Sequence, residues 1–208
     1  MATAALGSQR PDVVQRKRGA ALEEAILEAA YAELSEAGYA AFSVEGVAAR
    51  ARTGKASIYR RWPAKQLLVL DALCARLPTA RECGLGDELP DDTSTVDALR
   101  MVARQIAAIL ASPAGDAMRA VKCEAVTDPE LARAIDERFQ APRRAALLAL
   151  LERGVARGEV RPEAVTQLVA DVLPAVLTHR IILQREPVTD RVITAMIDQV
   201  LIPLIEPR

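Results

Sequence analysis

Ser43-Val44-Glu45-Gly46-Val47-Ala48-Ala49-Arg50-Ala51-Arg52-Thr53-Gly54-Lys55-Ala56-Ser57-Ile58-Tyr59-Arg60-Arg61-Trp62-Pro63-Ala64-Lys65 reads as two short helices joined by a tight turn. Val44, Val47, Ala48 and Ala51 recur at helical three-and-four spacing. Ser43 is a good N-cap, and the helix dipole favours Glu45 in the first turn. Arg52, Thr53 and Gly54 then break the pattern. A second helix is predicted from Lys55 to Arg61, ended by Trp62-Pro63 because the residue before a proline avoids the helical region. On that helix Ile58 and Trp62 share one face, and Ala56, Ser57 and Arg60 lie opposite. Lys55 and Tyr59 form one flank and Arg61 the other. From Arg50 to Lys65 the chain has six cations and no carboxylate.

An apolar back, small residues at the centre of the outer face and cations at its edges suit the major groove of DNA. Small side chains let the backbone approach base edges, Arg can pair bidentately with guanine, and flanking Lys, Arg and Tyr reach phosphates. The plain alternative is a solvated basic surface helix.

The stretch resembles the DNA-binding signature of the tetracycline-repressor (TetR) family, Ile-Ala-x-x-Ala-Gly-Val-Ser-x-Gly-Thr-Leu-Tyr-x-His-Phe-x-x-Lys. Val47-Ala48 and Ala51 match its first helix, Ser57-Ile58-Tyr59 its recognition helix, Trp62 its closing aromatic and Lys65 the start of the following helix. At the level of motifs the likeness runs from Leu22 to Leu73. Four departures stand out. Arg52 occupies a turn position where the family prefers Gly and φ is often positive. Gly54 replaces the usual Ser cap, a change costing only a few tenths of a kcal/mol. Arg61 stands where His is frequent, and Ala56 replaces Gly with a methyl that could touch a thymine methyl.

Working outward, 208 residues with 51% apolar content support one large or two small cores. Ala and Leu dominate, aromatics make up 3%, and no alternating strand pattern persists, so an all-α protein is expected. Residues 1–65 carry ten Lys/Arg against seven Asp/Glu, and the rest seventeen against twenty-one. A basic first third on an acidic remainder is the footprint of a nucleic-acid domain joined to one with another task. Three cysteines without CxxC spacing and a single histidine, His179, make no ordinary zinc site, so no metal and no cofactor are expected. With no signal peptide and no run of eighteen apolar residues, a cytoplasmic protein without a membrane partner is expected.

Residues 1–19 read as a flexible arm whose Arg16, Lys17 and Arg18 either lie along DNA or stay solvated. A helix from Ala20 to Ala37 ends at Gly38, a natural C-cap. Tyr39, Phe42, Val47, Ile58 and Trp62 are assigned to a small core that sets the recognition helix at its angle. Pro63 opens a connecting helix to Leu77, with Lys65 near its N-terminus, where a cation and backbone N–H groups could grip a phosphate. The expected DNA-contacting set is Arg16, Lys17, Arg18, Ser43, Val44, Arg52, Thr53, Gly54, Lys55, Ala56, Ser57, Tyr59, Arg60, Arg61 and Lys65.

Gly84, Gly86 and Pro90 mark Pro78–Asp92 as a loop, so residues 20–77 and 78–208 form the two expected domains. Helices follow from Ser94 to Ala111, from Pro113 to Val126 and from Pro129 to Arg157, the last kinked or split by Pro142. Segments near such a kink can wall a cavity, and Met118, Arg119, Cys123, Phe139 and His179 are candidate effector contacts. The last two helices, Pro162–Arg185 and Thr189–Ile205, are apolar on more than one face. Val165, Leu168, Val169, Val172, Val176, Ile193, Met196, Ile197, Val200 and Leu204 are therefore candidates for a homodimer interface, as the family resemblance also implies.

Together these readings describe a homodimeric repressor that binds an inverted-repeat operator in double-stranded DNA and is released by a small-molecule effector. Effector control is implied by the resemblance alone. A helical adaptor without DNA binding is the alternative, with the turn departures at Arg52 and Gly54 in its favour. An enzyme is disfavoured, since one histidine supports no catalytic arrangement and no glycine-rich phosphate loop is present.

Overall fold

The computed structural model describes residues 19–79, 92–184 and 186–207. The arm with Arg16, Lys17 and Arg18, most of the expected loop and Cys83 lie outside them. Among the described residues every regular element is helical. Helix α1 (Ala20–Ala41) breaks at Gly38, whose φ of 74° is the positive value that glycine tolerates, and one more turn then brings Tyr39 to the core. Helices α2 (Val44–Arg50) and α3 (Lys55–Tyr59) follow, then α4 (Lys65–Cys74), shorter than expected because two tight turns carry the chain on to buried Leu77.

Helices α5 (Thr95–Leu110), α6 (Pro113–Glu124) and α7 (Pro129–Ile135) lead into a π-turn at Asp136–Gln140 and then α8 (Ala141–Ala156). The π-turn is the structural answer to Pro142. A proline supplies no N–H and its ring crowds the preceding turn; widening that turn lets Ala141 N–H bond to Asp136 O, five residues back. The same device precedes Pro203, where a π-turn at Ile197–Leu201 joins α10 (Asp190–Met196) to α11 (Ile202–Ile205) and Ile202 N–H bonds to Ile197 O. A short 3₁₀ turn at Pro162–Ala164 comes before α9 (Gln167–Thr178), and a third π-turn, His179–Gln184, follows it.

Two apolar cores result. The first gathers Ile26, Leu34, Phe42, Val47, Ile58, Trp62 and Leu68, and extends to Met118 and Val121 of α6 and Leu131 of α7. All five residues assigned from sequence to the small core are buried. Ile58 is fully buried, worth about 1.5 to 3 kcal/mol relative to exposure, and it anchors α3 in the first core beside α2. The second core gathers Leu99 and Val102 of α5, Leu150 of α8, Leu173 and Leu177 of α9, and Ile193, Met196 and Ile197. Those last three were expected at a dimer interface; they are 2%, 5% and 0% exposed and belong to the protomer's own interior. Helix α10 and its π-turn pack across α5, which covers the arc that the sequence left open.

Candidate nucleic-acid interface and cavity

Helix α2 starts at Ser43, whose Oγ accepts from Gly46 N–H at 3.0 Å and satisfies one of the helix's unpaired donors. It ends in a Schellman motif: Thr53 N–H bonds to Ala48 O at 3.0 Å and Arg52 N–H to Ala49 O at 3.2 Å. That closure puts its cost on Arg52, which takes φ 53° where glycine is at home, a strain of about 1 to 2 kcal/mol. Gly54 then caps α3 in extended backbone with no side-chain bond, and Ser57 N–H bonds to Gly54 O at 2.9 Å. The turn keeps backbone bonds on both sides of these departures.

The turn presents Arg52, Gly54, Lys55, Ala56, Tyr59 and Arg60 to solvent, with Thr53 half-buried beside them. Tyr59 is 48% exposed, high for an aromatic residue that a core could have used. Two expected contacts need correction. Val44, 6% exposed, packs in the first core, and Ser57, 8% exposed, faces inward. Ser57 lies next to Ile58 on the side of α3 that packs against α2. Ser57 serves as a post: its carbonyl accepts from Arg61 Nη1 at 3.0 Å and its Oγ lies 3.4 Å from Arg60 Nη2.

The six cations also differ in their freedom. Lys55 is tied to Glu45 at 2.5 Å, a bond that raises the lysine's pKa and lowers the carboxylate's. Arg61 Nε lies 3.9 Å from Glu23, and Lys65 Nζ sits 4.5 Å above the Tyr39 ring and 3.4 Å from Tyr39 O. Arg50 bonds to Glu33 at 2.9 Å and to Glu36 at 3.1 and 2.5 Å. Among the described residues, Arg52, Arg60 and Lys65 carry no carboxylate partner, and Lys65 is held instead by Tyr39.

Glu33 is the residue that the sequence reading missed. It lies 9% exposed on the inner face of α1, where it accepts from Arg50 and from Ser43 Oγ at 3.3 Å, so it ties both ends of α2 to α1. Its spacing from Ile26, Ala29 and Ala30, at seven, four and three residues, was the available signal. Gly46 must be small because a Cβ there would lie 2.1 Å from Glu33 Oε1. Gly46→Ala is therefore expected to displace the carboxylate and cost about 1 to 3 kcal/mol in thermal denaturation, whereas Gly54→Ser, in open space, is expected to gain a few tenths. Equal melting temperatures for Gly46→Ala and the unmodified chain would show that Glu33 is no fixed post.

The other half holds a cavity of about 630 Å³ between α5, α6, α8, α9 and the first π-turn. Arg119, Cys123, Phe139 and His179 line it as expected from sequence. Met118 does not; it is 4% exposed in the first core, one helical position away from the cavity side. Ile106, Leu110, Leu147 and Pro174 supply apolar wall, and Lys122, Arg143 and Arg144 supply charge that the sequence reading did not single out. A wider groove of about 1020 Å³ shares Arg119 and Cys123 with it.

A chain of bonds runs from this cavity to α3. Phe139 and Gln140 line the cavity, and Arg138 beside them bonds to Asp71 Oδ1 on α4. Asp71 Oδ2 in turn accepts from Trp62 Nε1 at 2.8 Å, just beyond the end of α3. On α9 Leu168 is 78% exposed, while Val169, Val172 and Val176, with Val165 just before the helix, are partly exposed at the edge of the second core; Val200 (38% exposed) and partly buried Leu204 lie on the last helices.

A bonded helix-turn-helix with an exposed second helix, joined to a helical body with a cavity, defines a DNA-binding transcriptional regulator. The chain belongs to the TetR family. Residues 26–72 match the family's N-terminal region, described as bacterial regulatory proteins, tetR family, and residues 89–200 match the tetracyclin repressor-like C-terminal domain. The DNA-binding transcriptional repressor TetR of Mycobacteroides abscessus is 34% identical over 161 residues, covering 76% of this chain and 80% of that one. The HTH-type transcriptional regulator YdeS of Bacillus subtilis is 30% identical over 185 residues, 85% of this chain and 88% of that one. The solved TetR family transcription regulator SCO0332 superposes with a TM-score of 0.69 at 27% identity, over 86% of this chain and 96% of that one. The family is one of transcriptional regulators, and among the described residues no helix is long and apolar enough to cross a membrane.

Proposed function

We propose that this regulator is a homodimeric repressor, with residues 20–77 reading one half of an inverted-repeat operator and residues 78–208 joining the protomers and holding a small-molecule effector. The observation that carries the reading is the strip Leu168, Val172 and Val176, apolar side chains at one-turn spacing on α9, with Leu168 exposed and the two valines partly exposed at the edge of the second core. One α3 reaches only a few base pairs; two related by a two-fold axis supply the specificity that a regulator needs. Val200 and Leu204 extend the strip on the last helices and support a four-helix contact between copies.

The bond chain Phe139–Arg138–Asp71–Trp62 supports effector control. An occupant of the cavity that favours one position of the π-turn favours one position of Asp71 and hence of α3, and only such a preference can shift the DNA-binding equilibrium. The adaptor alternative draws on Arg52 and Gly54 as flaws in the turn; the Schellman bonds at Arg52 and Thr53 and the Ser57 N–H bond to Gly54 O weigh against it.

The test is a gel shift and footprint on the DNA upstream of the protein's own coding sequence at low ionic strength. A retarded complex with two protein copies on a protected inverted repeat is expected, with affinity falling steeply as salt rises. One copy on an asymmetric footprint would overturn the homodimer.

A further inference from the structure

The charges around the cavity are unevenly matched. Arg144 is held by Asp136 at 3.2 Å and Asp171 at 3.0 Å, and Arg119 by Asp116 at 2.9 Å. Lys122 has no such partner among the described residues. Its ammonium lies 5.5 Å from the centroid of the Phe139 ring, over which the Arg143 guanidinium also stacks at 3.8 Å. Two cations thus converge on one aromatic ring at the wall of a partly enclosed space. Burial, and then the charge of Arg143, push the Lys122 pKa down, the mark of a cation held where it is poorly solvated.

Arg143 donates to Phe139 O at 3.0 Å and to Pro78 O at 2.7 Å. These bonds fix its guanidinium against backbone, and it adds positive field to the spot that Lys122 faces. Ile106, Leu110, Leu147 and Pro174 add apolar wall to the same cavity. The volume of about 630 Å³ is that of a small-molecule site.

We propose that the cavity takes an amphipathic carboxylate, its head group on the Lys122 ammonium beside Arg143 and its apolar body against α5 and α8. The proposal rests on the reading of this cavity as the effector site, and it names the chemical class of the effector. A monoanion balances the one unmatched ammonium. A cationic ligand would bring a third positive charge to the Phe139 ring, and a neutral one would leave Lys122 as it is.

The test uses the full chain and matched pairs of ligands, decanoate with decanol and 2-naphthoate with 2-naphthol, in isothermal titration calorimetry. At least one carboxylate is expected to bind about tenfold or more tightly than its neutral partner. Lys122→Met, which keeps an unbranched stem, is expected to remove that advantage while leaving the alcohols unaffected, and Lys122→Arg to restore most of it. Equal binding of acid and alcohol, binding of neither carboxylate, or a carboxylate affinity indifferent to Lys122→Met would overturn the proposal. The same ligands added to the DNA complex separate the two readings. Carboxylate binding that leaves the complex intact keeps the ligand class and overturns effector control; release by alcohol and acid alike does the reverse.

Discussion

Ile197→Glu is expected to leave no folded protomer, whereas Leu168→Glu combined with Val172→Glu is expected to leave it folded and monomeric. The sequence pattern treats these positions alike, as apolar residues on broad helical arcs. Their surroundings do not. Ile197 is fully buried at the start of a π-turn, among the side chains of the second core. A carboxylate there loses its hydration with nothing to pair it, a penalty of several kcal/mol against a total stability of about 5 to 15. Leu168 is 78% exposed, and Val172 is one turn further along α9. A glutamate at 168 meets water in the isolated protomer and is favoured by the helix dipole in the first turn of α9, and one at 172 reaches water from a partly exposed position at the edge of the second core. In a two-fold contact through this strip they meet their own copies, and like charges facing across an apolar interface oppose association. Circular dichroism should show no cooperative melt for Ile197→Glu and a melt within a few degrees of the parent for the double variant. Analytical ultracentrifugation should find the double variant monomeric. A dimer that survives both glutamates would move the interface elsewhere, and a cooperative melt with Ile197→Glu would contradict the core assignment.

The contrast shows what can be read from sequence in such a chain. Local signals were legible because each depends on a few neighbouring residues. Ser43 caps α2, Gly38 breaks α1 with positive φ, Lys65 opens α4, and Arg52 takes the left-handed conformation its position in the motif implied. Pro142 announced a break, though not that a π-turn would accommodate it. The hidden features depend on contacts between distant segments. A helical wheel places Ile193, Met196 and Ile197 on an apolar arc but does not say whether α5 or a second copy covers it. Glu33 looked like surface charge because its value lies in Arg50 and Ser43, ten and more residues away. The run of six cations looked uniformly available, since the carboxylates that tie three of them come from α1 and α2. The cavity was legible only as a neighbourhood: four of five named residues line it, while Lys122, next to Cys123, went unnoticed because lysine on a helix reads as solvated.

That pairing pattern also singles out the residue whose loss should most change sequence preference. Arg60→Ala is expected to weaken operator binding by about 1 to 3 kcal/mol for each protomer, and so by up to twice that for a dimer whose two α3 helices act alike. Availability sets Arg60 apart from the neighbouring cations. A side chain held by a carboxylate must break that bond before it reads a base, which offsets part of the gain, and Lys55 and Arg50 are held in this way. Arg61 is turned back to the Ser57 carbonyl. Arg60 is exposed and makes only a weak 3.4 Å contact to Ser57 Oγ, which steadies the guanidinium without neutralising it. It stands on the outer side of the helix with Ala56, whose single methyl allows close approach to base edges. Loss of a base contact has a signature that loss of a phosphate contact lacks. Affinity for the preferred site should fall by a larger factor than affinity for unrelated duplexes, and the slope of log affinity against log salt should change little. Selection from a randomised half-site should then return one position with relaxed preference. A uniform loss across all duplexes, with the salt slope reduced by about one, would instead make Arg60 a phosphate contact and shift base reading to Arg52, which also has no carboxylate partner among the described residues.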